Sequence, residues 1–384
     1  MSRVVLSAGD ASGDLHAAEV VRALRLLRPD LRIAGLGGDA LAREGVDLAV
    51  HQREVAVGGL VEVLPALRRV RDAWRRMGAL IEGGADLLVL VDSPELNLPL
   101  AARARRAGVW VLYYVCPQVW AWRPGRVRKI ARRVDRLAAI FPFEPEVFRG
   151  TGLRVEFVGH PLVDPLRELS ARMDRARARG ALGLDPDRPL VLLMPGSRRN
   201  EVRYGLPLQL EVARLLHARD PRIAFALAVA PTIDPPSVEA AVAAARLPSL
   251  LRLDLLRGRA RESILASDVV VTKPGTSTVE IALLGRPMVV TGRGHPVSVA
   301  LMRRLIRVPH LAMPNLIAGR PVVPELLQEE ASPPALADAV AELLDGPARV
   351  RQLDALGEVR ARLGSGGAAE RVARMAAEML GARG

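Results

Sequence analysis

A chain of 384 residues, half of them apolar, exceeds one ordinary hydrophobic core and predicts two domains of roughly 150–200 residues. The net charge is +13, but only two of the 55 basic residues, Lys129 and Lys273, are lysine. No nucleic-acid module accompanies them, so a composition-wide drift toward arginine displaces a nucleic-acid partner, although phosphates and acidic lipid surfaces stay favoured.

Cys116 is the only cysteine, which rules out an intrachain disulfide and does not call for an oxidising compartment. The first residues lack the apolar run of a secretion signal. The longest uncharged stretch around the strands, Val109 to Trp122, is too short to span a bilayer. The expected location is the cytoplasm, in solution or on a membrane surface.

Strand-like apolar runs alternate with helical patterns. In the first half they fall near Val4–Leu6, Leu31–Gly35, Leu87–Val91, Val109–Val115, Leu137–Ile140 and Val155–Val158. In the second half they fall near Leu190–Met194, Ile223–Val229, Leu250–Leu253, Val269–Thr272 and Met288–Thr291. Continuous apolar runs separated by helices predict α/β domains with parallel sheets covered on both faces. The strandless stretch from Pro165 to Pro189 places a boundary, giving domains at 1–165 and 166–346. The helical tail 347–384 is expected to return to the first domain.

The first strand leads into Ser7-Ala8-Gly9-Asp10-Ala11-Ser12-Gly13-Asp14, a glycine-rich turn that opens a helix and offers N–H groups. Its carboxylates suit sugar hydroxyls better than a bare pyrophosphate. The competing role for Asp10 or Ser12 is a simple helix cap. Farther along, Val57 to Leu64 is apolar but for Glu62. The helix that follows carries the stripe Leu67, Val70, Trp74, Met77 and Ile81 among Arg68, Arg69, Arg71, Arg75 and Arg76. This pattern fits either an interfacial helix or one packed on the sheet.

Asp92-Ser93-Pro94-Glu95-Leu96-Asn97 follows a fully apolar strand. Ser93-Pro94 reads as a cap with proline at the first helical position. Asp92 then stands one residue early for the cap, at the sheet mouth, where partial desolvation raises a carboxylate toward a working base. Next comes Val115 to Arg123. Aromatics are only 3% of the chain, yet Trp120 and Trp122 sit one residue apart here, beyond a strand that Pro117 ends. With Gln118 and Arg123 they suit a polar ligand, unless the rings merely plug the core.

In the second half, Met194-Pro195-Gly196-Ser197-Arg198-Arg199-Asn200-Glu201 places an arginine at a helix start, suited to a diphosphate. Lys273-Pro274-Gly275-Thr276-Ser277-Thr278-Val279-Glu280 supplies N–H and hydroxyl donors at another helix start, with Glu280 a turn inside for a ribose diol. Neither is a Walker loop. No His/Cys/carboxylate group has metal-ligand spacing, so no metal or cofactor is expected.

Together these segments resemble the lipid-A-disaccharide synthases, bacterial glycosyltransferases of the two-Rossmann-domain GT-B fold with a cleft between the domains. The matching residues are Ala8-Gly9-x-x-Ser12-Gly13-Asp14, Asp92-x-Pro94-x-x-Asn97, Pro117-x-Val119-Trp120-Ala121-Trp122-Arg123 and Gly159-His160-Pro161. They continue with Pro195-Gly196-Ser197-Arg198-x-x-Glu201, Gly275-Thr276-x-Thr278-x-Glu280 and Pro314-Asn315-Leu316. The resemblance implies transfer from UDP-2,3-diacylglucosamine to 2,3-diacylglucosamine 1-phosphate. It implies Asp92 as base with Asp10 beside it, and Arg198 with Gly275 to Thr278 around the diphosphate. Glu280 would hold the ribose, and Asn97, Gln118, His160 and Asn315 would line the site. Acylated glucosamine lipids, the cytoplasmic face of the inner membrane and a second copy of the chain are the implied partners. Asp10, Glu95-Leu96, Cys116 and Lys273-Pro274 depart from the family pattern. The rival readings are another UDP-sugar enzyme of this fold, such as a peptidoglycan precursor transferase or a UDP-N-acetylglucosamine epimerase, and a non-catalytic nucleotide-binding protein.

Overall fold

The computed structural model describes residues 2–55, 63–122, 125–295, 299 and 304–382, without the side chains of 63–67 and 122. The chain forms two compact units, residues 1–161 with 363–384, and residues 162–362. The first holds strands β1 (Arg3–Ala8), β2 (Arg32–Gly37), β3 (Asp47–His51), β4 (Leu87–Val91), β5 (Trp110–Tyr114), β6 (Arg136–Ala139) and β7 (Arg154–Phe157). They pair in the order β3-β2-β1-β4-β5-β6-β7, all parallel. The second holds β8 (Leu190–Met194), β9 (Ala224–Val229), β10 (Leu253–Arg257), β11 (Val269–Thr272), β12 (Met288–Gly292) and β13 (Glu325–Leu327). Their order is β10-β9-β8-β11-β12-β13, again parallel.

Both sheets reverse strand order at one place, between β1 and β4 in the first and between β8 and β11 in the second. Such a switch point opens a crevice at the carboxyl ends of its two strands. Register then decides which residues meet there. Ala8 lies opposite Val91, which sets the Gly9-Asp10 turn beside Asp92-Ser93. Thr272 lies opposite Met194, which sets Lys273 beside Pro195.

Two expectations about boundaries need correction. The first break falls after 161, four residues earlier than expected, and the tail is split. The helix Pro347–Arg362 stays with the second unit because Gln352 pairs with both backbone groups of Met288, accepting at 2.7 Å and donating at 3.2 Å. Only the last helix, Ala368–Gly381, returns to the first unit. There Arg371 Nε donates to the Val158 carbonyl at 2.9 Å and Glu378 pairs with Arg136.

The arginine stripe helix, Val63–Glu82, is a packing element. Met77 and Ile81 are fully buried in the first core, Trp74 packs against it, and the Trp74 indole donates to the Leu96 carbonyl at 3.0 Å. That part of the stripe is not free for a membrane; the apolar segment before it, 57–62, lies outside the described residues. No helix among the described residues is long and apolar enough to cross a bilayer.

Candidate active site

At the first switch point the backbone is strained. Asp92 and Ser93, which follow β4, have φ of 47° and 43°, and Val115, which follows β5, has φ of 55°. Left-handed backbone is costly for non-glycine residues, most of all for a β-branched one, and clusters at functional sites. Asn97 holds this strain in place. Its amide donates to the carbonyls of Val91 at 3.0 Å and Asp92 at 2.7 Å, and its oxygen accepts from the Ser7 hydroxyl at 2.7 Å. The Tyr113 hydroxyl also donates to the Asp92 carbonyl at 2.7 Å. Asn97 was expected to line the ligand site; it is fully buried with its polar atoms engaged, and acts on Asp92 through the backbone.

Asp10 is a helix cap, as one of its two readings held, and more. One carboxylate oxygen accepts from the Gly13 N–H at 2.8 Å and the Ser12 hydroxyl at 2.7 Å; the other accepts from Ser93 Oγ at 2.9 Å. The Gly13 and Ser12 donors expected to face a ligand are therefore spent on Asp10. Gly9 serves closeness: a Cβ there would stand 2.8 Å from both Leu96 Cδ2 and Ser93 Oγ. Burial pushes the Asp10 carboxyl up, but Gly13, Ser12 and Ser93 outweigh it and hold the group below 3.8. Burial and then the Asp10 charge push Asp92 up to about 6, against one N–H from Ser93. Two neighbouring carboxylates with divergent pKa values mark an acid–base site.

The tryptophan segment forms one helical turn, Val119–Trp122. Trp120 is half-buried, edge-on to Phe143 with centroids 4.9 Å apart and to Phe141 at 6.4 Å. Its indole donates to Glu144 at 3.3 Å. Glu144 is a buried carboxylate that no sequence motif marked; it also accepts from the N–H groups of Ile140 and Phe141, and burial raises it to about 7. His160, expected at the ligand, lies buried against Phe141 at 5.2 Å, and burial lowers it to about 3. It belongs to the packing that seats the last helix, for its N–H donates to the Leu363 carbonyl. Gln118 is exposed. Arg123 and the Trp122 side chain lie outside the described residues.

In the second unit, a cavity of about 390 Å³ opens between the turns after β8 and β11, bordered by Ser197, Arg198, Thr276, Ser277 and Glu280. Arg198 is 83% exposed at the start of the helix Arg199–Arg219. Glu201 is engaged in its own turn: it accepts from the N–H groups of Ser197 at 2.9 Å and Arg198 at 3.2 Å and from the Arg198 guanidinium at 3.4 Å, and pairs with Lys273 at 3.2 Å. Gly196 makes this possible, with φ of 136° and a Cβ position only 2.5 Å from Glu201 Oε2. Gly275, at φ 141°, turns the chain into the helix Ser277–Leu283, where the N–H groups of Thr278 and Val279 donate to the carbonyls of Gly275 at 3.1 Å and Thr276 at 2.9 Å. Thr276 is exposed, and Ser277 Oγ lies 3.3 Å from Thr272 Oγ1. Thr278 corrects an expectation: it is buried, and its hydroxyl donates to the Gly275 carbonyl at 2.7 Å. Glu280 is held by Arg261 at 3.0 Å. Asn315 is also a correction, being buried with its oxygen accepting from Val322 and Val323 and its amide donating to Val323 and Glu325.

Two doubly wound parallel sheets, each with polar turns at its switch point, define the GT-B fold of glycosyltransferases. MurG from Acinetobacter baumannii shares it with a TM-score of 0.59 at 16% identity, covering 98% of this chain and 100% of that one. A UDP-GlcNAc 2-epimerase from Neisseria meningitidis bound to UDP-GlcNAc gives a TM-score of 0.68 at 11% identity, covering 98% and 100%. Such identities speak to fold alone. The lipid-A-disaccharide synthetase family matches residues 4–377. The lipid-A-disaccharide synthase of Geobacter metallireducens is 44% identical over 381 residues, spanning 99% of this chain and 97% of its own. That of Myxococcus xanthus is 42% identical, spanning 98% and 97%. The chain belongs to the lipid-A-disaccharide synthase family and is a glycosyltransferase.

Proposed function

We propose that the chain joins UDP-2,3-diacylglucosamine to 2,3-diacylglucosamine 1-phosphate, forming the β-1,6-linked disaccharide 1-phosphate and UDP. Asp92 takes the proton of the acceptor 6-hydroxyl as that oxygen bonds to the anomeric carbon. The bond from that carbon to the UDP oxygen breaks on the opposite face, which inverts the centre. Arg198 balances the departing diphosphate with its guanidinium, because Glu201 already uses the N–H groups of its turn. The N–H groups of Thr276 and Ser277 face the same anion, and Glu280 accepts from the ribose. No step is assigned to a metal or cofactor.

The observation that carries this reading is Asp92, a carboxylate raised to about 6 on a strained turn at the first switch point. General-base removal costs about a hundredfold or more. Asp92→Asn should therefore lose UDP release by at least that factor while binding UDP as before. Full rate in that variant would remove Asp92 from the role.

The lipid substrates place the enzyme at the cytoplasmic face of the inner membrane, with the apolar segment 57–64 as its contact. Charged residues at Leu60 and Leu64 should abolish sedimentation with anionic liposomes; unchanged sedimentation would discard that contact.

A further inference from the structure

The second unit holds a larger cavity, of about 770 Å³, beside the nucleotide turns. Lys273 borders both cavities. Its walls are largely hydrocarbon, from Val299, Ile306, Val308, Leu311 and Leu327. Glu201, Lys273, Arg293, Gln328, Glu329 and Glu330 also stand on its border, and two further polar side chains are almost fully buried. Gln209 is 1% exposed and Thr291 is 2% exposed, and both border the space. Neither Gln209 Oε1 nor Thr291 Oγ1 has a hydrogen-bond partner among the described residues.

An unpartnered buried polar atom is costly, and two bordering one cavity are not what packing alone would select. The volume falls within the range of about 300–1,000 Å³ found for ligand sites. Gln209 Oε1 can only accept; the Thr291 hydroxyl can donate. The matching occupant is long and apolar and carries one N–H beside one carbonyl. An amide-linked fatty chain has all of these, whereas an ester-linked chain lacks the N–H.

We propose that this cavity receives the amide-linked acyl chain of the nucleotide-bound donor, with Gln209 accepting from the amide N–H and Thr291 donating to its carbonyl. The inference rests on the proposed function and adds to it: the second unit, which holds the nucleotide, also measures donor chain length.

The test compares dissociation constants of two donors without acceptor, UDP-glucosamine with a long N-acyl chain and UDP-N-acetylglucosamine. Val308→Trp and Leu327→Phe each put added bulk into the cavity, and Thr291→Val removes the hydroxyl at nearly constant shape. Each should weaken the long-chain donor by about tenfold or more, with UDP and the short-chain donor bound as in the wild type. UDP binding also reports that each variant is folded. Unchanged long-chain affinity in the two filled variants overturns the inference. So does an equal loss for UDP in both, which would assign the cavity to the nucleotide. The two claims fail separately: a wild type that transfers no acylated donor defeats the proposed reaction. A wild type that transfers it, while the filled variants still bind the long chain, defeats only the pocket.

Discussion

Asp10 and Asp92 are joined by the single residue Ser93, yet they titrate in opposite directions. Three donors keep Asp10 ionised, and its charge in turn makes a second anion at Asp92 unfavourable. The folded pKa of Asp92, about 6, lies above its unfolded 3.8. Two consequences share that sign. As a base, Asp92 is active when ionised, so kcat/KM should fall as pH drops through about 6; a flat profile from pH 5 to 8 would contradict the role. As a structural group, its ionisation is disfavoured in the fold, so stability declines as pH rises from about 4 to 6. The difference of about two units corresponds to at most roughly 3 kcal/mol. Asp92→Asn should therefore melt higher than the wild type at pH 8, an enzyme made more stable by losing its proposed base. Asp92 stands out in the sequence as a candidate because a carboxylate just past a fully apolar strand sits one residue short of the helix cap. Asn97, Thr278 and Asn315 were misplaced because a side chain that pins a loop and one that touches a ligand occupy the same local sequence. Only the three-dimensional partners separate them.

At the scale of elements, the turns after β8 and β11 show how glycine decides what a loop can hold. Gly196 lets the carboxylate of Glu201 fold back over its own turn. Gly196→Ala would place a methyl group against Glu201 in a backbone region that side chains avoid. The expected loss is roughly 1–3 kcal/mol of stability, with weaker UDP binding, read by denaturant unfolding and calorimetry. Central strands such as Leu87–Val91 and Leu190–Met194 could be read directly, since both faces are covered and every residue is apolar. Of the edge strands, β7 could be read too, near Val155–Val158, but β3 and β13 could not. β3 and β13 are short and only partly buried, so neither shows an apolar run. β10 begins where its expected run, Leu250–Leu253, ends. An edge strand is held by its backbone pairing, which leaves little trace in side-chain pattern.

Across the whole molecule, part of the positive charge serves inside the fold. Arginine is used as an internal connector: buried Arg179 donates to the carbonyls of Ala266, Asp185, Pro186 and Arg188 and pairs with Asp268 at 2.7 Å. Arg371 ties the last helix to Val158 in the same manner. Deleting 363–384 would uncover the surface that Val372, Met375, Met379 and Leu380 now bury, each worth roughly 1.5–3 kcal/mol. The truncated protein should lose cooperative melting of its first unit and become protease-sensitive there, while an unchanged melt would show the helix to be dispensable. That arrangement also orders events during synthesis. Residues 162–362 are continuous and can close as soon as they leave the ribosome. The other unit must wait, unfinished, until the helix Ala368–Gly381 has been translated and released. A nascent polypeptide of this sequence thus carries the unit that holds Asp92 incomplete until that helix emerges, the period when chaperone contact and premature cleavage would fall on that unit first.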